Sequence, residues 1–341
     1  MSHPVSGLGE FALIRRLAAR LGPARRDVVV GIGDDVAAVE VRADRYLLMT
    51  CDAQVEGVHF LPGVTPPERV GRKAAAVNLS DIAAAGGRPT HFLVSLLLPP
   101  DTAVEWMEAA YDGIAHEAAL FGADVVGGNV ARAGQLALDL TLLGEVERDR
   151  IVRRAGARPG DLVLVTGSPG MARAGLALLK QPAPGLADEE RRRLVDAYQL
   201  PVPRIREARA MGDVGGVTAM IDVSDGLAAD LGHICDESGV GLRLLARSLP
   251  VDEGMGRLAR SLGVDPLEWV LGGGDDYELA LTARPGRAEA LQRAVHDATG
   301  TPLTVIGEIV PREAGRHLVL DGGQEVPLTV AGWEHFGAGH P

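Results

Sequence analysis

Lysine is almost missing from this chain. Of 34 basic residues only Lys73 and Lys180 are lysines, and arginine supplies the rest. Acids outnumber bases by 46 to 34, for a net charge of −12. That balance argues against duplex nucleic acid as a partner, which asks for a basic face. Cysteine is scarce too. Cys51 and Cys235 have neither metal-ligand nor disulfide spacing, so a reducing cytoplasm is the expected setting. Long apolar runs are absent. The longest, Phe92 to Leu98, is strand-sized, far short of the roughly 20 residues of a membrane helix, so no membrane partner is expected. The N-terminus shows no charged segment followed by an apolar stretch, hence no expected signal peptide. Several catalytic signatures are missing as well: no G-x-x-x-x-G-K-[ST] loop, no H-R-D or D-F-G set, no H-E-x-x-H and no G-x-S-x-G elbow. Those absences exclude the ordinary P-loop, the protein-kinase apparatus, the zincin helix and the nucleophile elbow.

What is present is acid in unusual places. Gly31-Ile-Gly-Asp-Asp35, Thr50-Cys-Asp52, Asn78-Leu-Ser-Asp81, Ile221-Asp-Val-Ser-Asp-Gly226 and Gly272-Gly-Gly-Asp-Asp276 set carboxylates in short, glycine-marked, otherwise apolar stretches. A carboxylate at the end of an apolar strand must be hydrated, paired or bound to a cation. Few basic residues lie beside these five. If the fold gathers them, their repulsion calls for a strong positive charge, and Mg²⁺ suits carboxylate oxygen while leaving positions for phosphate. The pattern points to metal-assisted phosphate chemistry.

The chain of 341 residues is too long for one ordinary core, so two domains are expected, 1–150 and 151–341, divided before the Gly/Pro-bearing segment 153–160. Apolar periodicity predicts helices over 9–21, 67–85, 101–121 (with Asp101 as N-cap), 171–180 and 226–237. It predicts strands over 46–51 ending at Asp52, then 91–98, 123–126 opening onto Gly127-Gly128, 135–146, 161–166, 218–221, 277–282, 303–309 and 317–320. Both halves therefore read as α/β with mixed sheets.

Each acidic stretch also has a plain structural reading. Gly31 to Asp35 suits a solvated turn. Because adjacent strand side chains face opposite ways, Asp35 is favoured over Asp34 as a ligand. A lone His59 is more often packed than functional. Asp81 has apolar neighbours at three- and four-residue spacing, which argues against a solvated helix face. Ser224 reads first as a helix cap, although a helix start is also an anion site. Gly127-Gly128 reads as a turn or as a backbone phosphate contact.

Taken in order, Gly9-Glu-Phe, Gly31-Ile-Gly-Asp-Asp35, Asp52 with Gly57-Val-His-Phe60, Ala76-Val-Asn-Leu-Ser-Asp81, Gly127-Gly, Ser224-Asp-Gly-Leu227, Asp276-Tyr-Glu-Leu279 and Gly332-Trp-Glu-His-Phe336 resemble the thiamine-monophosphate kinase family. That family is related to aminoimidazole-ribotide synthetase. The resemblance implies a two-domain aminoimidazole-ribotide synthetase-like fold, a homodimer pairing through its N-terminal domains, and ATP-dependent phosphorylation of thiamine monophosphate to thiamine diphosphate. It implies Mg²⁺ ligation by Asp35, Asp52, Asp81 and Asp222, by the Thr50 side chain and the Cys51 backbone, and by Asp225. Gly128, Arg154 and Ser224 fall where the family contacts ATP, and His59, Asp275 and Trp333 where it holds the thiamine moiety. No protein nucleophile is expected, since phosphoryl transfer needs positioning and charge neutralisation. Two positions depart from the family pattern. Asn129 replaces an aspartate at a metal- and ATP-contacting position and loses a charge, and Asp275 replaces a glutamate. The alternatives are a binding paralogue that has lost turnover and a same-fold enzyme with another substrate.

Overall fold

The computed structural model describes residues 10–19, 26–181 and 185–328. The first half contains α1 (Glu10–Ala18), β1 (Val28–Val30), β2 (Ala37–Glu40), β3 (Arg45–Val55), α2 (Pro67–Ala84), β4 (Arg88–Leu98), α3 (Val104–Leu120), β5 (Asp124–Arg132) and β6 (Ala137–Glu147). Its six strands form one sheet in the order β1-β2-β3-β6-β4-β5, antiparallel except for the parallel β4–β5 pair. The second half contains β7 (Leu162–Thr166), α4 (Met171–Lys180), α5 (Asp188–Gln199), α6 (Ile205–Val214), β8 (Val217–Asp222), α7 (Leu227–Ser238), β9 (Gly241–Leu245), α8 (Glu253–Ser261), α9 (Pro266–Gly272), β10 (Leu279–Ala283), α10 (Ala288–Thr299), β11 (Leu303–Val310), β12 (Arg316–Val319) and β13 (Glu325–Pro327). Its seven strands run β13-β12-β9-β11-β7-β10-β8. Both halves are mixed α/β layers, as the alternating patterns predict.

Helix α2 joins the halves. Pro67 at its first turn presets the helical φ. Small residues from Ala74 to Ala84 then let it be buried on nearly every side, as expected of a helix without a polar face. It packs on β3 and β6 of the first sheet, on α3, and on β8 and α6 of the second half. Leu79 and Ile82 belong to one continuous core with Leu164, Met211, Met220 and Leu281. Packing therefore sets the two sheets relative to each other. The polar residues that α2 carries inside this core, Lys73, Asn78 and Ser80, must find partners there.

Four local expectations change. Asp52 does not end its strand, because β3 stays paired with β6 from Arg45↔Glu147 to Val55↔Ala137. Gly127 and Gly128 lie inside β5 rather than beyond it. A Cβ on Gly128 would sit 1.9 Å from the Val94 carbonyl oxygen, so glycine here permits a close strand pair. Asp101 is not the cap of α3, which starts after Ala103 with no side-chain cap. Ser224 does not cap α7. Asp230 reaches back instead, accepting the Asp225 and Gly226 N–H groups at 3.2 and 3.0 Å.

Candidate active site

Three acids from separate segments meet beside the C-terminal part of α2. Carboxylate oxygens of Asp35, Asp81 and Asp222 all lie within 4.8 Å of one another. Asp222 arrives at the end of edge strand β8, Asp81 from α2, and Asp35 from the turn after β1. Ser80 donates to Asp222 Oδ2 at 2.6 Å, and Thr50 donates to Asp81 Oδ2. Asn78 fixes β3 against the helix by accepting the Asp52 N–H at 3.1 Å, while its own amide donates to the Ala74 carbonyl. The neighbouring acids Asp34 and Asp35 divide their work. Asp34 braces backbone, accepting the N–H groups of Asp35 at 3.0 Å and Arg154 at 3.1 Å. Asp35 turns inward, where Arg154 Nε and Nη2 both reach its Oδ1.

This arrangement is electrostatically strained. Burial pushes Asp222 up to about 8, with Asp35 adding to the rise. Asp81 is held well above the usual carboxylate range by burial and then by Asp52, Asp222 and Asp35. Asp34 rises to about 6, again through burial first and then Asp35. Burial raises Asp35 as well, and Arg154 opposes that. Arg154 is thus the cation that partly compensates the group. Asp35 Oδ2 is buried without a hydrogen-bond partner among the described residues. An orphaned buried oxygen among three converging carboxylates is a donor set for a hard divalent cation, and its all-oxygen character suits Mg²⁺.

A second polar group lies two turns earlier on the same helix. Lys73 Nζ donates to Asp275 Oδ2 at 3.0 Å and to the His59 carbonyl at 3.2 Å. The Tyr198 ring centroid lies 4.1 Å from the same nitrogen, and the Tyr198 hydroxyl donates to the His59 carbonyl. His59 Nδ1 accepts the Val55 N–H at 3.0 Å. The Tyr277 hydroxyl donates to Asp275 Oδ1 at 3.1 Å, and the Asp275 N–H donates to the Ser224 carbonyl at 2.8 Å. His59, Asp275 and Ser224, distant in sequence, therefore share one neighbourhood. A Cβ on Gly274 would meet the Ser224 carbonyl oxygen at 2.6 Å, so this loop approach also needs glycine.

Other expected site residues fall elsewhere. Cys51 follows Thr50 on β3, and strand alternation turns its side chain to the opposite sheet face. There its thiol meets Asp139, and Gly128 and Asn129 line a shallow groove of about 300 Å³ with Ser95, Asp139 and Thr141. Asp225 groups with Asp230 and His233 rather than with the three acids. Trp333 lies outside the described residues. Asp276 is buried and accepts the Gly170 and Ala172 N–H groups at the start of α4. Sequence reasoning missed Lys73 as a site residue. The available signal was its solitude, an ammonium in the stretch Lys73-Ala-Ala-Ala-Val.

Comparison with known proteins identifies the family. Residues 33–146 match the family model of the AIR synthase related protein, N-terminal domain, and residues 158–319 match that of its C-terminal domain. The thiamine-monophosphate kinase of Salmonella typhimurium is 37% identical over 330 residues, spanning 96% of this chain and 98% of that protein. A solved structure of AaThiL complexed with AMPPCP and TMP superposes with a TM-score of 0.84 at 34% identity, covering 98% of this chain and 99% of the other. The hydrogenase maturation protein HypE of E. coli superposes with a TM-score of 0.70 at 23% identity over 83% of this chain and 85% of its own, a likeness of fold alone. Matched through both halves and along nearly its whole length, the chain belongs to the AIR synthase related proteins and, among them, to the thiamine-monophosphate kinase family.

Proposed function

We propose that this protein transfers the γ-phosphoryl group of ATP to the phosphate of thiamine monophosphate. The bond between the γ-phosphorus and the β,γ-bridging oxygen breaks, and a phosphate oxygen of the acceptor forms the new bond. The products are thiamine diphosphate and ADP. The carrying observation is the convergence of Asp35, Asp81 and Asp222 from three segments with one buried carboxylate oxygen unpartnered. Family membership supplies the substrate class.

In this reading Asp35, Asp81 and Asp222 hold Mg²⁺, with Asp52 and the Thr50 hydroxyl beside them. Mg²⁺ held by these residues would supply the charge neutralisation that two mutually repelling phosphates need. Arg154, paired with Asp35, is assigned to a nucleotide phosphate as well. Ser80 and Asn78 keep Asp222 and the Asp52 backbone in register. The His59–Asp275 neighbourhood receives the organic end of the acceptor, with Trp333 as a further contact. The Cys51 backbone and Ser224 are assigned to the nucleotide and its metal, as are Gly128, Asn129 and Asp225, although these three stand apart from the three converging acids. A homodimer is part of the same reading. It is supported by edge strand β5, which leaves Val126 and Val130 58% and 68% exposed. The domains are taken as 1–150 and 151–341, and the setting as cytoplasmic, consistent with two free cysteines.

The test is direct. Purified protein is incubated with ATP, Mg²⁺ and thiamine monophosphate, and thiamine diphosphate and ADP are quantified together. Equimolar formation is expected. Folded protein yielding neither product refutes the proposal.

A further inference from the structure

Lys73 is 1% exposed, and burying an ammonium is costly unless its geometry is satisfied. Here it is satisfied three ways, by a carboxylate, a carbonyl and an aromatic face. The partners come from different parts of the chain. His59 follows β3 in the first half, Tyr198 ends α5, and Asp275 lies in the loop before β10. One ammonium therefore clamps the two halves together at this point.

The clamp acts on a loop that would not hold its shape alone. Asp275 and Tyr277 have φ of +67° and +52°, a region non-glycine residues seldom adopt. Such strain persists only where surrounding contacts over-determine it, and it gathers at functional sites. Both oxygens of Asp275 are engaged, Oδ2 by Lys73 and Oδ1 by Tyr277. Lys73 thus decides where this carboxylate stands.

The same helix sets a distance. Lys73, Ser80 and Asp81 lie seven and eight residues apart on one face of α2, two turns or roughly 11 Å along the axis. Ser80 and Asp81 belong to the acidic cluster, and Lys73 to the His59–Asp275 group. Helix α2 therefore spans from the phosphate end of the site to its organic end.

We propose that Lys73 is a positioning and specificity-determining residue of the acceptor site, setting through Asp275 and His59 where the acceptor ring farthest from the phosphate is held. This rests on the kinase reading above. The side chain acts through its partners, so its loss weakens the acceptor and spares the nucleotide.

The experiment uses the full chain and three variants: K73M, which keeps the stem and drops the charge, K73R, which keeps the charge, and K73M combined with D275N. Michaelis constants for thiamine monophosphate and ATP are measured separately, and acceptor binding is also read by calorimetry without turnover. K73M is expected to raise the acceptor KM at least tenfold and leave the ATP KM within twofold. K73R should recover most of the loss. The double variant should cost little more than D275N alone, because both changes release the same carboxylate. A truncated acceptor carrying the thiazole phosphate without the pyrimidine ring should be used equally by wild type and K73M. If K73M does not fold, K73Q takes its place. Equal changes in both KM values, no change in either, or independent effects of K73M and D275N would overturn the proposal. A wild-type protein that binds thiamine monophosphate without phosphorylating it refutes the kinase reading instead. Calorimetry on K73M then still decides the role of Lys73.

Discussion

Two groups of buried acid in this protein have opposite characters. Around Glu278 each acid has a partner: Arg204 reaches both Glu278 carboxylate oxygens, the Thr166 hydroxyl donates to it at 2.6 Å, and Glu207 shares Arg204 and accepts from Thr301. Around Asp81 three carboxylates crowd together, and among the described residues only Arg154 offers a cation and one oxygen is orphaned. Both groups are buried and both draw residues from distant segments. The difference lies in satisfaction. A matched network supports the fold, whereas an under-matched one is held in place by the rest of the fold and awaits a ligand.

The largest expected effect comes from breaking the unmatched group. Asp81→Asn and Asp222→Asn should each lower kcat/KM by roughly 100- to 1,000-fold. Melting measured without metal should not fall, since a neutral amide replaces a crowded carboxyl that must otherwise take up a proton or repel its neighbours. A variant with normal turnover, or one that loses stability in proportion to activity, would erase the contrast between the two groups.

The matched group should respond the other way. Arg204→Met leaves Glu278 buried and unpaired, at a cost of about 3–5 kcal/mol of folding stability. Denaturant melts should show that loss, while Mg²⁺ affinity of the protein that remains folded stays at the wild-type value.

Protons sharpen the comparison. With Asp222 raised to about 8 and Asp81 also raised, the metal-free folded state binds more protons than the unfolded chain between about pH 4 and pH 8. Its unfolding free energy therefore falls as pH rises through that window. Mg²⁺ replaces those protons, so the gain in Tm from saturating Mg²⁺ should be larger at pH 8 than at pH 6. An equal gain at both would mean that the metal binds elsewhere.

The smallest effect is expected at Cys51. Its side chain points away from the three acids, so Cys51→Ser should change kcat/KM by less than about twofold. A large loss would bring the thiol into the chemistry.

These contrasts were unevenly legible in the sequence. Asp81 and Asp222 stood out because apolar neighbours gave them no local reason to exist, whereas Asp35 sat in a stretch that also suits a solvated turn. Their meeting depends on α2 being buried between two sheets, and its small-residue composition hints at that burial. Within Gly272 to Glu278 the letters do not separate the roles. Asp275 meets Lys73, Asp276 holds the start of α4, and Glu278 meets Arg204. All three partners are more than 70 residues away, beyond any local signal. Gly128 read as a turn residue because glycine usually marks one, and only the close approach of β4 explains it inside a strand. The further β3 pairing beyond Asp52, from Ala53 to Val55, was hidden for the same reason, since β6 supplies the register.

The most direct test of the account is to locate the metal. Crystals grown with Mn²⁺ in place of Mg²⁺, with an ATP analogue bound, should give anomalous peaks at coordination distance from carboxylate oxygens of Asp35, Asp81 and Asp222. Bound Mn²⁺ found only away from these three side chains, in protein that phosphorylates thiamine monophosphate with Mn²⁺, would contradict it.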